Sequence, residues 1–207
     1  MHLKILRSQK KHFQTQNNFA RIMDLHIVEQ RLCIYTNDYY RFDELNKQTL
    51  HYGEMMNNSY VKNYSLQQKA LYYIALGDFE NAFELFNRFH IDTVEYQFHK
   101  VYTLYRLGHY IEAQQLIKVH FKYTYDSARD TVHKGYQAII ELMNHDNSEN
   151  VQKKLKAFAD SAYESEVYPL IKIAFKLYLK QLEQHRKYKE AYYYSEKILE
   201  ITAHVMK

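Results

Sequence analysis

Glycine and proline together occupy only five of the 207 positions, Gly53, Gly77, Gly108, Gly135 and Pro169, roughly a fifth of ordinary usage. A strand-rich domain of this length turns every 8–12 residues or so, and its turns draw on Gly, Pro, Asn or Asp in unusual backbone conformations. A chain this poor in breakers cannot turn that often. It must run as helices joined by short polar connections, which sets the fold class as all-α. Hydrophobic residues make up 46% of the chain, enough for a packed core rather than wholesale disorder. The length suits either one core or a one-dimensional stack whose units bury faces against their neighbours.

A recurring phrase favours the stack. It reads Leu76-Gly77-Asp78-Phe79-Glu80-Asn81-Ala82 and returns as Leu107-Gly108-His109-Tyr110-Ile111-Glu112-Ala113. A third copy, Arg186-Lys187-Tyr188-Lys189-Glu190-Ala191, lacks the Gly but keeps the aromatic and the Ala. Fainter copies fall at Tyr40-Arg41-Phe42-Asp43-Glu44-Leu45 and Asp146-Asn147-Ser148-Glu149-Asn150-Val151. With Phe42, Phe79, Tyr110, Ser148 and Tyr188 as equivalents, the separations are 37, 31, 38 and 40, a range typical of stacked supersecondary units.

Each position in the phrase has a physical role. The Gly ends one helix, where the chain needs a left-handed residue without a Cβ. The aromatic two residues on fills the corner of a helical hairpin, and the Ala three further lets the two helices approach. Behind it the 3.6-residue period continues through Ala82, Leu85, Phe86 and Phe89, and through Ala113, Leu116, Ile117 and His120. The pattern resembles the second half of the tetratricopeptide repeat: Gly, any residue, Tyr, two residues, Ala. The resemblance covers Leu25 to Ile201 and is weakest over 120–165; the first-helix Trp and closing Pro of that family are absent. It implies a right-handed superhelical stack of about five hairpins. An irregular helical bundle with two chance Leu-Gly-aromatic phrases is the competing reading.

Helices are expected near 15–36, 39–56, 63–76, 79–90, 93–107, 110–122, 128–144, 148–163, 168–184 and 187–205. Pro169 suits the first turn of the ninth, where its missing N–H costs nothing. Asp146 and Ser148 suit the cap of the eighth. No linker interrupts the series, so one continuous domain over 1–207 is expected, with 1–14 as a basic N-terminal arm.

Catalytic and metal signatures are missing. The twelve histidines form no HExxH, and no His pair at i,i+4 comes with a suitable carboxylate. Cys33 is the only cysteine, which excludes an internal disulfide and points to a buried structural thiol in a reducing, cytoplasmic setting. No Walker loop, GxGxxG, GxSxG or kinase phrase occurs. Neither an enzyme nor a cofactor is expected. No apolar run approaches the roughly 20 residues of a membrane span, and the start lacks a signal peptide's apolar stretch. The net charge is +4, with Lys4, Arg7, Lys10, Lys11 and Arg21 all preceding the first acidic residue, Asp24. Such an arm is either a solvated end or a contact for nucleic acid.

What remains is binding. The first helix of each hairpin would line a concave wall, for which Gln30, Tyr64, Gln67, Tyr102, Tyr105, Arg106, Tyr136, Lys176 and Lys180 are the candidates. Amides and tyrosines bond a peptide backbone while the rings cover its side chains. Lys172, Lys176 and Lys180 form one stripe at four-residue spacing, either a solvated face or a grip for a carboxylate.

Degenerate repeats in a Lys-, Asn- and Tyr-rich chain are also similar in style to the C-terminal domains of the Gram-positive peptide-sensing regulators, the Rgg, PlcR, Rap and AimR group. That resemblance implies a quorum-sensing module that binds a peptide or protein partner and forms a homodimer. It also leaves open a Rap-like effector acting on a signalling protein, or a nucleic-acid binder using the basic start. No helix-turn-helix is legible in residues 1–60, so the chain reads either as a sensor domain cut from a regulator, without its DNA-binding part, or as a stand-alone relative.

Overall fold

The computed structural model describes residues 8–10, 12, 19–89, 93–120, 127–144, 149–166 and 168–206. Among the described residues, ten helices of ten residues or more follow one another. They are α1 (Phe19–Thr36), α2 (Tyr39–Met55), α3 (Ser59–Leu76), α4 (Phe79–Arg88) and α5 (Val94–Leu107), then α6 (Tyr110–His120), α7 (Ser127–Met143), α8 (Glu149–Glu164), α9 (Tyr168–Gln184) and α10 (Tyr188–Met206). No strand occurs among the described residues, and the protein is all-α. Most of the basic arm, the expected start of the first helix at 15–18, and the caps Asp146 and Ser148 lie outside the described residues.

The packing groups into two compact units, Met1–Ile91 with Ile201–Lys207, and Asp92–Glu200. The sequence marks no boundary near residue 91, so the grouping comes from packing alone. In the first unit α1 packs on α2, α3 on α4, and α1 also on α3. The second repeats this scheme: α5 packs on α6, α7 on α8, and α5 also on α7, with α9 against α8. Within each unit, sequence neighbours thus pair, and the leading helices α1 and α3, and α5 and α7, touch.

The turns explain why the helices stop where they do. Gly77 (φ 84°) and Gly108 (φ 79°) are left-handed. Each closes its helix with the same bond pair: Asp78 N–H to Tyr73 O with Gly77 N–H to Ile74 O, and His109 N–H to Leu104 O with Gly108 N–H to Tyr105 O. The conformation recurs without glycine at Asn37 (φ 60°), Asn57 (φ 48°), Glu166 (φ 52°) and Arg186 (φ 57°). Lys187 N–H to Leu182 O at 2.8 Å shows that the third copy of the phrase keeps the turn after losing its Gly.

The next helix is then started by a side-chain cap three residues before the N–H it accepts from. Asp38 caps Arg41, Asn58 caps Val61, Asp78 caps Asn81 and Thr93 caps Tyr96. Asn58 is why α3 begins at Ser59 rather than at the expected 63. The first hairpin also corrects the register: Asn37, Asp38 and Tyr39 are the equivalents of Gly77, Asp78 and Phe79. Phe42 therefore stands where the other copies have Ala. It is fully buried and stacked on Tyr72 at 4.5 Å, so the larger side chain is absorbed by an aromatic neighbour. Ala82 and Ala113, at the same position, are wholly buried.

Burial follows these roles. In α4 Phe79, Ala82, Leu85 and Phe86 form one apolar stripe. In α5 the buried residues go nearly all round, from Tyr96 through Leu104, because neighbours flank it on two sides. Phe98 lies at the centre of the second unit, 5.4 Å from the Phe158 ring and 5.7 Å from that of Tyr136. In the first unit Cys33 sits in a cluster with Phe42 and Leu45.

Candidate functional site

A cleft of about 620 Å³ opens in the second unit. Its walls come from four helices: Tyr105 and Arg106 at the end of α5, Leu142 of α7, Ile198 of α10, and much of one face of α9. From α9 come Lys172, Lys176 and Lys180, the apolar Leu177 and Leu179, and Gln181 near the last turn. Residues four apart on a helix share a face, so the lysines form one edge of the cleft. Among the described lining residues, four are cations, Arg106 and the three lysines, and one is a carboxylate, Glu183. The site is therefore electropositive over an apolar floor.

The α5 edge is held by aromatic packing. The rings of Tyr105 and Tyr110 stack at 6.1 Å, and that of Tyr102 lies 6.5 Å from Tyr105. Arg106 donates from Nη1 to the Tyr102 hydroxyl at 3.0 Å, with its guanidinium 5.8 Å from the ring centre. This fixes a long, exposed side chain at the cleft mouth. Burial pushes the Tyr102 phenol up, an effect the adjacent Arg106 partly opposes, and it also pushes up the Tyr105 phenol. Lys172, half-buried, has its ammonium pushed below the ordinary lysine range by desolvation. Lys176 and Lys180 are exposed, and neither has a carboxylate at ion-pair distance among the described residues.

Across the cleft's far side, α10 is tied down by hydroxyl–carboxylate bonds. Tyr178 donates to Glu190 at 2.6 Å, and Tyr194 donates to Asp160 of α8 at 2.6 Å. Desolvation and these carboxylates push both phenols well above the ordinary tyrosine range.

Of the nine residues the sequence offers as a binding wall, Tyr105, Arg106, Lys176 and Lys180 line this cleft. Four others are packing residues. Tyr102 (2% exposed) and Tyr136 (3%) are inside the second unit, since α5 and α7 are flanked on both sides. Gln30 is completely buried in the first unit. Its Nε2 donates to Thr49 at 2.9 Å and its Oε1 accepts from Asn46 at 3.0 Å. Gln67 is buried as well, at 3% exposure. Tyr64 is half-buried in the first unit and accepts from Arg31 Nη2 at 3.0 Å.

Buried amides cannot be told from exposed ones by residue type alone, so the sequence offers glutamines and tyrosines of both kinds. The same reasoning missed Gln181 and Leu142. Gln181 falls four residues after Leu177 on the face next to the lysine stripe, and that spacing was the available signal.

Among the described residues no helix is long and apolar enough to cross a membrane, and no group of three or more His, Cys, Asp or Glu is placed to hold a metal ion. No protein-family model, curated protein or solved structure matches the chain. Fold and site together define an all-helical protein of paired helices with a basic, tyrosine-edged cleft.

Proposed function

We propose that the chain is a binding module for a peptide or protein partner, built from hairpins of the tetratricopeptide kind and engaging its partner in the cleft of the second unit. The observation that carries this reading is the cleft itself. The leading helices of three consecutive hairpins, α5, α7 and α9, contribute to one concavity that combines exposed cations, tyrosines and aliphatic floor. A few convergent polar groups over an apolar floor are what a recognition site needs. The recurring turn geometry at Gly77, Gly108 and Arg186 supports the repeat reading. The likeness to peptide-sensing regulators supplies the regulatory part of the proposal.

The test is an unbiased peptide array probed with the whole chain, followed by thermal denaturation with each hit. A ligand at a hundred times its Kd stabilises by about 2.7 kcal/mol, which for a protein of this size raises Tm by roughly 5–10 °C. The shift should disappear in a Tyr105→Ala, Arg106→Ala double variant. An array without a single peptide able to raise Tm would remove the proposal.

A further inference from the structure

We infer that the cleft in the second unit is built for an extended acidic polypeptide segment in which carboxylates and apolar side chains alternate. This rests on the reading of the chain as a peptide-binding module and specifies the chemistry of its ligand.

The first observation is the charge. Among the described lining residues, four cations (Arg106, Lys172, Lys176 and Lys180) outnumber one carboxylate, Glu183, and the exposed Lys176 and Lys180 are open to a segment that brings several negative charges. The second is spacing. Lysines four residues apart on a helix rise about 6 Å from one to the next. In an extended chain the side chains on one face repeat every two residues, about 6.4–6.8 Å. Three lysines in line therefore match carboxylates at alternate residues, close to one for one. The third is the apolar floor. Leu142, Leu177 and Ile198 line the same cleft, so the residues between the carboxylates meet aliphatic side chains rather than water.

The fourth observation separates a polypeptide from a nucleic acid, which also carries regularly spaced negative charge. Gln181 lines the cleft, is only 6% exposed, and its side-chain Oε1 meets no hydrogen-bond partner among the described residues. A buried acceptor left without a donor is costly. An extended peptide offers a backbone N–H at every residue, whereas a sugar-phosphate backbone carries phosphates that only accept.

The experiment uses the full chain and fluorescence anisotropy with labelled eight-residue peptides. One alternates glutamate with leucine, one replaces every glutamate by glutamine, and one has the original composition in two blocks. An oligothymidylate of equal charge competes. The alternating acidic peptide should bind at least about tenfold more tightly than either peptide control, the equivalent of about 1.4 kcal/mol, and should weaken as salt rises. The exposed pair Lys176→Glu, Lys180→Glu should reduce that binding at least about tenfold. Lys153→Glu with Lys189→Glu, the same charge change on exposed residues outside the cleft, should leave it within about twofold. Circular dichroism melting shows whether each variant is folded.

Equal binding of the glutamine peptide, equal effects of the two charge-reversal pairs, or tighter binding of the oligonucleotide would each overturn the assignment. Neutral or basic array peptides that compete in the cleft would remove the acidic specificity and leave the binding module intact. An absence of binding by the acidic set and by the array together would remove both.

Discussion

Gly135 sits where the interior of the second unit leaves no room for a side chain. A Cβ built there would lie 2.5 Å from Cε2 of Phe98 and 2.9 Å from Cε2 of Phe158. Neither ring can swing aside, because Phe98 and Phe158 are both fully buried and packed on each other. Gly135→Ala therefore sets two effects against one another. Replacing glycine inside a helix with alanine favours the helix by about 1 kcal/mol. Forcing a methyl group into a filled core costs about 1–3 kcal/mol, occasionally more. The clash is with two immobile rings rather than a flexible chain end, so the upper part of that range applies. The net expectation is a loss of about 1–2 kcal/mol and a fall in Tm of roughly 2–8 °C.

Equilibrium urea unfolding followed by far-ultraviolet circular dichroism measures this loss directly. A double-mutant cycle then identifies its source: shrinking the ring with Phe98→Leu should make the alanine cheaper, giving a coupling of about 1 kcal/mol. An alanine variant as stable as the parent would refute the packing argument. So would a penalty undiminished in the Phe98→Leu background.

Ala82→Leu should cost about 1–3 kcal/mol in urea unfolding, because Ala82 is wholly buried between the helices of its hairpin; a neutral result would undo the assigned repeat register. Asn46→Ala should cost about 2–3 kcal/mol in the same assay. Its Nδ2 donates to Gln30 Oε1, Ser65 O and Ser65 Oγ inside the first unit, and their acceptors would stay buried without it.

His26 predicts a pH dependence. Burial first, then the Lys10 and Arg41 cations, lower its pKa from 6.5 to about 4. The unfolded chain takes up the proton first. The contribution is therefore full above pH 6.5 and is lost as pH falls toward 4, on the order of 3 kcal/mol in all. Urea midpoints between pH 7 and 4.5 should fall less steeply for His26→Gln than for the parent. Parallel profiles would show that the imidazole does not titrate as described.

Helix order was readable from the sequence because several independent signals agree. Few breakers, the 3.6-residue period and the Leu-Gly-aromatic phrases all mark the same boundaries. The register of the first hairpin was not, because Asn37 does the work of glycine there and Phe42 occupies an alanine position. The lining of the cleft was legible only in part. Tyr105, Arg106, Lys176 and Lys180 carry cues that survive without coordinates, a lysine stripe and a helix end. Gln30, Gln67, Tyr102 and Tyr136 carry the same chemistry into the interior, and only packing distinguishes the two settings. No linear spacing reveals that a glutamine such as Gln30 has been matched to a threonine and an asparagine elsewhere in the fold.

The left-handed turns at Asn37, Asn57, Glu166 and Arg186 have a consequence for engineering. Each holds an ordinary side chain in a conformation that costs roughly 1 kcal/mol or more, less for asparagine. Glycine at Glu166 or Arg186 would release that strain without disturbing any interior contact. The protein thus has margin at its corners, and a version fortified there would tolerate harsher remodelling of the cleft than the parent chain.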